Sequence, residues 1–249
     1  MVGDLFDMFL KYPKTTHIKE YWNDKARLDS SLPVGQFMIV EEKMDGTQVG
    51  ISFDKNGKVA IQSRGSYISS EPEYSLLKQW VWQHHAALFD RLTSRYILFG
   101  EWLYAKHTIF YDLLPDYFLE FDVYDRENEI FLSTLSREKF WENCEFIFSV
   151  RVIDALTTPT ENVLNTLLTK SAFISEDAFY HMNEIEKKQT DTIGLMEGLY
   201  LKIEDQSQVI ERYKLVRTEF IQKIVESGSH WKNRELKLNK LRAIKQGLE

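Results

Sequence analysis

Apolar and polar residues alternate with a period of two in several stretches of the chain, and this spacing predicts β-strands. The predicted strands are Gln36–Glu42, Val49–Phe53, Val59–Ser63, Tyr96–Tyr104, Tyr117–Tyr124, Glu129–Leu132, Met196–Ile203 and Val209–Arg217. The second and third are joined by Asp54-Lys55-Asn56-Gly57, a sequence typical of a hairpin turn. We therefore expect the first three strands to form an antiparallel meander.

Other stretches repeat their apolar residues at helical spacing. The clearest covers residues 73–93, contains neither Gly nor Pro, and predicts a helix that faces the core. Further helices are predicted at residues 4–12, from Ser136, at residues 160–170 and 176–188, and in the tail after Arg217. Because strands and helices do not alternate as in βαβ units, the pattern indicates the α+β class, with antiparallel sheets flanked by helices.

The composition supports a folded, intracellular protein. A chain of 249 residues with 43% hydrophobic and 14% aromatic residues is able to bury a sizeable core. No apolar run approaches the roughly 20 residues of a membrane-spanning helix, and the N-terminus has no signal-peptide pattern. With Cys144 as the single cysteine, an intramolecular disulfide is excluded. We expect a soluble cytoplasmic monomer without a membrane partner.

The charge is divided unevenly along the chain. The net charge is -7, but residues 212–249 hold ten Lys or Arg against four Glu, which is a balance of +6 and leaves -13 for residues 1–211. A basic end on an acidic body is a candidate phosphate-binding surface. On charge alone, a solvated helix face explains the same pattern equally well.

Charged residues also occur within or directly after the predicted strands. They are Lys43, Arg64, Glu101, Glu197, Lys202, Arg212 and Lys214. Taken singly, each is explained as a residue on the solvent side of its strand, and a Lys-x-Asp-Gly such as residues 43–46 occurs by chance in roughly one such chain in twenty. Arg212 and Lys214 are two residues apart and share a strand face. Cations beside carboxylates and glycines are what a nucleoside triphosphate site requires.

In their order and spacing these stretches resemble the motifs of the covalent nucleotidyltransferase superfamily of polynucleotide ligases and capping enzymes. The resemblance is closest to the RNA ligase 2-like branch of ATP-dependent RNA ligases and spans residues 12 to about 242. The matching motifs are Glu42-Lys43-Met44-Asp45-Gly46, Ser63-Arg64-Gly65, Phe99-Gly100-Glu101, Glu120-Phe121-Asp122-Val123, Glu197-Gly198-Leu199-Tyr200-Leu201-Lys202 and Arg212-Tyr213-Lys214. Two positions depart from the pattern: Arg212 replaces a lysine, and Thr16 replaces a proline.

The resemblance implies a nucleotidyltransferase domain of the ATP-grasp-like ligase type. We expect residues 1–217 to form this adenylyltransferase domain and residues 218–249 to form a basic, helical, RNA-facing tail, with no OB domain. It also implies ATP as co-substrate and Mg²⁺ or Mn²⁺ as metal. The implied catalytic residues are Lys43, Arg64, Lys202, Arg212 and Lys214; the nucleotide-binding residues are Glu42, Lys43, Arg64, Glu101, Phe121 and Lys214; the metal ligands are Glu101 and Glu197.

The chemistry of these residue types is consistent with that set of roles. A lysine has an ordinary pKa near 10.4, so deprotonating it at neutral pH costs about 4 kcal/mol, and neighbouring cations lower that cost. We expect Arg212, Lys214 and a bound Mg²⁺ to favour the neutral amine of Lys43. Phe121 offers a ring on which adenine stacks, and Glu42 offers an acceptor for the adenine amino group.

These features predict an ATP-dependent RNA ligase that works through a lysyl-AMP intermediate. Its expected partner is RNA with 5′-phosphate and 3′-hydroxyl ends, for RNA repair, and any end-healing partner enzyme is left open. A DNA ligase or a capping enzyme is the first alternative, but only 32 residues follow Arg217, too few for an OB barrel. The second is an inactive protein that binds nucleic-acid ends, although neither the lysine nor the metal carboxylates are lost.

Overall fold

The computed structural model describes residues 9–24 and 31–243. In these ranges the strands are β1 (Thr16–His17), β2 (Phe37–Lys43), β3 (Thr47–Phe53), β4 (Val59–Ser63), β5 (Tyr96–Trp102), β6 (Phe118–Asp125), β7 (Ile130–Phe131), β8 (Phe148–Ser149), β9 (Val152–Leu156), β10 (Gly198–Glu204) and β11 (Val209–Val216). The α-helices are α1 (Lys19–Asn23), α2 (Ser75–Gln83), α3 (His85–Leu92), α4 (Thr134–Phe140), α5 (Glu161–Thr166), α6 (Glu184–Lys188) and α7 (Thr218–Glu226).

The strands form two sheets. The first has the order β1-β11-β10-β2-β9, and the second has the order β4-β3-β5-β6-β7 with β8 beside β6. Among the described residues only the β1–β11 and β6–β8 pairs are parallel. The prediction of an α+β fold with antiparallel sheets and flanking helices is therefore confirmed.

The predicted meander of the first three strands is wrong. Strand β2 pairs with β10 and β9 in the first sheet, whereas β3 pairs with β4 and β5 in the second. The chain between Lys43 and Thr47 consequently crosses from one sheet to the other. Alternation shows which face of a strand is buried but not which strand lies beside it, so the sequence pattern could not reveal this crossing.

Gly46 makes the crossing possible. A Cβ at this position would lie 2.7 Å from Leu103 Cδ2, 2.8 Å from the Trp102 carbonyl oxygen and 2.9 Å from Glu101 Cγ. Only glycine lets the backbone pass this close to β5. As a result, Lys43 ends its strand where the two sheets meet.

Most other elements agree with the sequence-based predictions. The β3–β4 hairpin forms at the expected turn, where Gly57 has a φ of +77° and its N–H donates to the Asp54 carbonyl. The helix expected at residues 73–93 appears as a 3₁₀ turn followed by α2 and α3, which meet at His84. Helix α4 begins two residues before Ser136 because the Ser133 hydroxyl caps it.

The helix expected at residues 176–188 is shorter than predicted. Only α6 is helical there, because Asn183 and Glu186 form a capping box that starts the helix, and residues before it are turns. Strands β1, β8 and β9 and helix α1 were not predicted. The helix expected at residues 4–12 lies partly outside the described residues, and residues 9–12 contain no helix.

Within residues 218–243 the C-terminal tail is α-helical only at its start. After α7 the chain makes a 3₁₀ turn at Trp231–Asn233 and then extends, held by isolated bridges between Ala105 and Leu238 and between Leu114 and Leu241. The tail thus runs along the connection between β5 and β6. No helix within residues 9–24 and 31–243 has the length and apolar character needed to cross a membrane.

Candidate active site

A cleft of about 500 Å³ opens where the two sheets meet. Its volume is within the usual range of roughly 300–1,000 Å³ for small-molecule sites. Six of the predicted site residues line it: Glu42, Lys43, Arg64, Glu101, Phe121 and Lys214. The remaining three, Glu197, Lys202 and Arg212, lie behind this lining and are described in turn below.

Lys43 is paired with a carboxylate from the neighbouring strand. Its Nζ lies 2.8 Å from Glu197 Oε1 and 3.0 Å from Oε2. In the β2–β10 ladder Lys43 lies opposite Gly198, the residue directly after Glu197. A Cβ at Gly198 would lie 2.1 Å from the Leu215 carbonyl oxygen of β11, so this position requires glycine. The metal-ligand candidate Glu197 therefore contacts the candidate nucleophile directly.

The protein's own groups favour the protonated form of Lys43. Burial by itself lowers the pKa of this amine, but Glu197 and Glu101 outweigh burial and raise the pKa above its ordinary value. This outcome is opposite to the expectation that neighbouring cations would favour the neutral amine. It is the pKa of Lys214 that is lowered, by burial and by the positive charge of Lys43.

Two carboxylates lie beside the lysine, the half-buried Glu101 and the buried Glu197. Burial raises the pKa of Glu101 to about 8 and that of Glu197 to about 7, and Lys43 acts against both shifts. Glu101 Oε1 also accepts a hydrogen bond from the Gly46 N–H at 3.1 Å. Within the described ranges there is no group of three or more His, Cys, Asp or Glu able to hold a metal. Two carboxylates suit Mg²⁺, which takes one or two of them together with phosphate oxygens and water.

Asp45 anchors the crossing segment to the second sheet's β5–β6 connection. Its Oδ2 accepts hydrogen bonds from the N–H groups of Thr108 at 2.7 Å and Ile109 at 2.8 Å, and its own N–H donates to the Tyr111 hydroxyl at 2.9 Å. The Asp-Gly pair is thus not a hairpin turn. It fixes the backbone beside Lys43 through a carboxylate that bonds two amides.

One end of the cleft is aromatic. The Phe121 ring lies 5.5 Å from the Tyr12 ring and 6.3 Å from the Tyr200 ring, centroid to centroid. Glu42 also lines this cleft. Its Oε1 accepts a hydrogen bond from the Ser171 hydroxyl, while its Oε2 is buried and has no hydrogen-bond partner within the described residues. A ring and a buried, unpartnered acceptor that line one cleft suit a flat base that carries an amino group.

Lys202 lies beneath the cleft and does not line it. The residue is 1% exposed, and its Nζ lies 2.8 Å from Glu41 Oε2 and 3.1 Å from Asp122 Oδ1. The same Nζ donates to the Phe121 carbonyl at 2.5 Å. Lys202 therefore supports the backbone of the residue that offers the aromatic ring, and it is not placed to contact a ligand.

Arg212 is also below the cleft, although β11 places it on the same strand face as Lys214. Its Nε lies 3.3 Å from Asp122 Oδ2, and its guanidinium covers the Phe131 ring at 3.9 Å. The register sets Arg212 opposite Lys202, two residues deeper in the sheet than Lys214. The sequence predicted the shared face correctly, but that face extends from the cleft into a buried ion-pair network.

Arg137 of α4 is a part of this network that sequence reasoning missed. It is 1% exposed, its NH2 donates to Glu41 Oε1 at 2.6 Å, and its NH1 donates to the Phe121 carbonyl. Lys202 contacts the other Glu41 oxygen and the same carbonyl. Two cations thus join β2, which carries Glu42 and Lys43, to β6, which carries Phe121.

The sequence model of the RNA ligase family matches residues 36–216. This range contains Lys43, both of its carboxylate neighbours and Lys214. The chain belongs to the RNA ligase family. A comparison with curated protein sequences gives no match.

Solved RNA ligases from Naegleria gruberi share the fold. A lysine-to-alanine variant with ATP and Mn is 15% identical with a TM-score of 0.61, over 90% of this chain and 61% of that one. A lysine-to-methionine variant with AMP and Mn is 13% identical with a TM-score of 0.59, over 89% of this chain and 60% of that one. The ligase with PPi is 14% identical with a TM-score of 0.56, over 90% of this chain and 60% of that one. This chain therefore spans about 60% of the length of those ligases.

Beyond the range that the RNA ligase family model matches, the tail contributes to the cleft. His230, Trp231 and Lys232 line it together with His107 of the β5–β6 connection. We call these four residues the tail wall. Sequence reasoning marked the tail as basic but did not place it at the cleft, because no local pattern links a segment near the C-terminus to residue 107.

Proposed function

We propose that this protein is an ATP-dependent RNA ligase that joins an RNA 5′-phosphate to a 3′-hydroxyl through a lysyl-AMP intermediate. The observation that carries the proposal is the position of Lys43 at the junction of two sheets, in a cleft that Glu101 and Lys214 also line and with Glu197 in direct contact. Membership of the RNA ligase family supports the same reaction class.

Adenine would bind at the aromatic end of the cleft. Phe121 offers a ring face, and the unpartnered Glu42 Oε2 is suited to accept a hydrogen bond from the adenine amino group. The α-phosphate would then lie near Lys43, with the ammonium of Lys214 and the guanidinium of Arg64 in the same cleft. These cations offset negative charge on the phosphates.

Lys43 is the proposed nucleophile. Its Nζ would form a bond to the α-phosphorus while the bond from that phosphorus to the bridging oxygen breaks, and the electron pair leaves with pyrophosphate. The amine must first lose a proton, and Glu197 Oε1 is 2.8 Å away to accept it. The AMP would next pass to the RNA 5′-phosphate, and the 3′-hydroxyl of the other end would displace it.

Glu101 and Glu197 are the residues that would hold a Mg²⁺ or Mn²⁺ ion. Such an ion would lower the pKa of a nearby amine and neutralise phosphate charge. Two of the Naegleria gruberi ligase structures contain ATP or AMP with Mn, and this supports ATP and a divalent cation as co-substrate and cofactor here. We further propose that residues 1–217 form the adenylyltransferase domain, that residues 218–249 form the tail, and that the protein acts as a monomer.

The joining of RNA ends tests this function. A 5′-labelled RNA with a 5′-phosphate would be incubated with a 3′-hydroxyl RNA, ATP and Mg²⁺, with and without a complementary splint. The native chain and the Lys55→Ala control, which alters an exposed turn, should form the joined product, and Lys43→Ala should not. Absence of joined product from all RNA pairs, or joining that prefers DNA ends, would contradict the proposal.

A further inference from the structure

The tail beyond α7 is built firmly into the fold. Arg234 donates from NH2 to the Ser227 hydroxyl at 2.6 Å and from NH1 to the Gln189 carbonyl at 3.1 Å. Asn239 is 1% exposed, and its side-chain amide bonds the backbone of the β5–β6 connection at 2.7 and 2.9 Å. Because buried polar side chains of this kind hold the backbone in place, the position of the tail at the cleft is a fixed feature of the structure.

The tail wall reaches the segment that follows Lys43. The rings of Trp231 and His107 stack with centroids 3.8 Å apart and an interplanar angle of 16°. His107 Nε2 in turn lies 3.4 Å from Thr47 Oγ1, and its Nδ1 lies 3.8 Å from Asp45 Oδ1. The tail wall therefore contacts Asp45 and Thr47, which follow Lys43 in the chain, whereas Glu42 precedes it.

The tail wall is positively charged at its exposed end. Lys232 and His230 are exposed and line the cleft. Burial lowers the pKa of His107 to about 4; Asp45 acts against this, and His230 and nearby lysines add to it. His107 is consequently neutral at pH 7 and serves as a flat support for Trp231, while the formal charge of the wall is that of Lys232.

We propose that the tail wall binds the β- and γ-phosphates of ATP and holds the pyrophosphate that Lys43 displaces. This inference rests on the proposed function, which makes ATP the substrate. Adenine is expected beside Phe121 and Glu42, and the tail wall lies against Asp45 and Thr47, beyond the lysine. A triphosphate that extends from the aromatic end past Lys43 would meet the tail wall with its last two phosphates.

The charge of the ligand favours ATP over an RNA 5′-phosphate at this wall. Coulomb attraction grows with the charge of the anion, and the β- and γ-phosphates carry more charge than a single terminal phosphate. The growing charge of the leaving pyrophosphate also needs a cation close to the reacting lysine. Lys232 lines the same cleft as Lys43 and lies outside the residues that the family model matches, so we infer that it supplies this cation.

A comparison of ATP with AMP tests the inference, since AMP lacks the two phosphates in question. All measurements use the full chain with Lys43→Ala, so that no turnover occurs, and titration calorimetry in the presence of Mg²⁺. Adding His230→Ala and Lys232→Ala should weaken ATP binding roughly 3- to 10-fold and leave AMP binding unchanged. Lys232→Arg, which keeps the charge, should retain most of the ATP affinity. Lys240→Ala, in the same tail but outside the cleft, should change neither.

Two results would overturn the inference. One is an equal effect, or no effect, of the His230 and Lys232 substitutions on ATP and AMP. The other is unchanged ATP binding with a lost preference for 5′-phosphorylated over 5′-hydroxyl RNA, which would make RNA the ligand of the tail wall. If the Lys43→Ala proteins show the expected ATP and AMP pattern but the native chain forms no lysyl-AMP, the proposed function fails while this phosphate site stands.

Discussion

Lys43 Nζ lies 2.8 Å from Glu197 Oε1, and this ion pair holds the candidate nucleophile in its protonated form. The pair is imposed by the fold, because the β2–β10 ladder places Lys43 opposite Gly198, directly after Glu197. Attack on phosphorus requires a neutral amine, so the interaction must weaken when substrates bind.

Removing the carboxylate should make Lys43 reactive at lower pH. In Glu197→Gln the neutral amide no longer stabilises the ammonium, so the pKa of Lys43 falls. Acylation of the metal-free protein with an amine-selective reagent, followed by peptide mass spectrometry across pH 7–11, measures this. The Lys43 labelling curve should shift to lower pH in the variant, while the curve of the exposed Lys55 stays in place. Superimposable Lys43 curves would show that Glu197 does not control the amine.

The buried carboxylates should make stability depend on pH. The pKa of Glu101 is raised from 4.5 to about 8 and that of Glu197 from 4.5 to about 7. Between pH 4.5 and 8 the folded protein therefore retains protons that the unfolded chain has released, and the free energy of unfolding falls as pH rises. Urea unfolding at several pH values should show a shallower fall for Glu101→Gln. An identical slope in both proteins would contradict the raised pKa.

The Arg137–Glu41 pair should be essential for stability. Arg137→Met leaves the Glu41 and Glu120 carboxylates buried without this cation, and loss of one partner of a buried pair costs about 3–5 kcal/mol of unfolding free energy. Combining Arg137→Met with Glu41→Gln should recover part of the loss, because one uncompensated charge is removed. Urea unfolding of the two single variants and the double variant measures this coupling.

If Arg137→Met lowered the free energy of unfolding by less than about 0.5 kcal/mol, the Arg137–Glu41 pair would not stabilise the structure beneath the cleft. The Arg137→Lys variant provides the matched control for charge. It retains one cation but not the planar fork that reaches Glu41 and the Phe121 carbonyl together, so its stability should lie between those of the native chain and Arg137→Met.

Much of the fold follows from local sequence patterns. The β3–β4 hairpin could be predicted because its strands alternate cleanly and Asp54 to Gly57 form a recognisable turn. The partner of β2 could not, since alternation defines a face and not a neighbour. The helical content before α6 was overestimated because the capping box at Asn183 sets the start of the helix later than the apolar spacing indicates.

In the candidate site, too, local patterns predict some features, and others depend on tertiary contacts. Lys43, Glu101 and Lys214 line the same cleft, because each lies in a strand near the sheet junction. Arg212 shares a strand face with Lys214, but its position below the cleft depends on its pairing with Lys202 of β10. This pairing is a tertiary property that the local sequence does not reveal. Arg137 gave no signal, as a single arginine in an amphipathic helix is ordinarily exposed.

The most direct test of the central claim is covalent labelling of the protein by ATP. The chain would be incubated with ATP labelled at the α-phosphate and with Mg²⁺, denatured, and digested to locate the adduct. The account predicts one AMP attached to Lys43, present in Lys55→Ala, absent in Lys43→Ala, and formed more readily from ATP than from GTP. No adduct in the native chain, or an adduct that persists in Lys43→Ala, would contradict it.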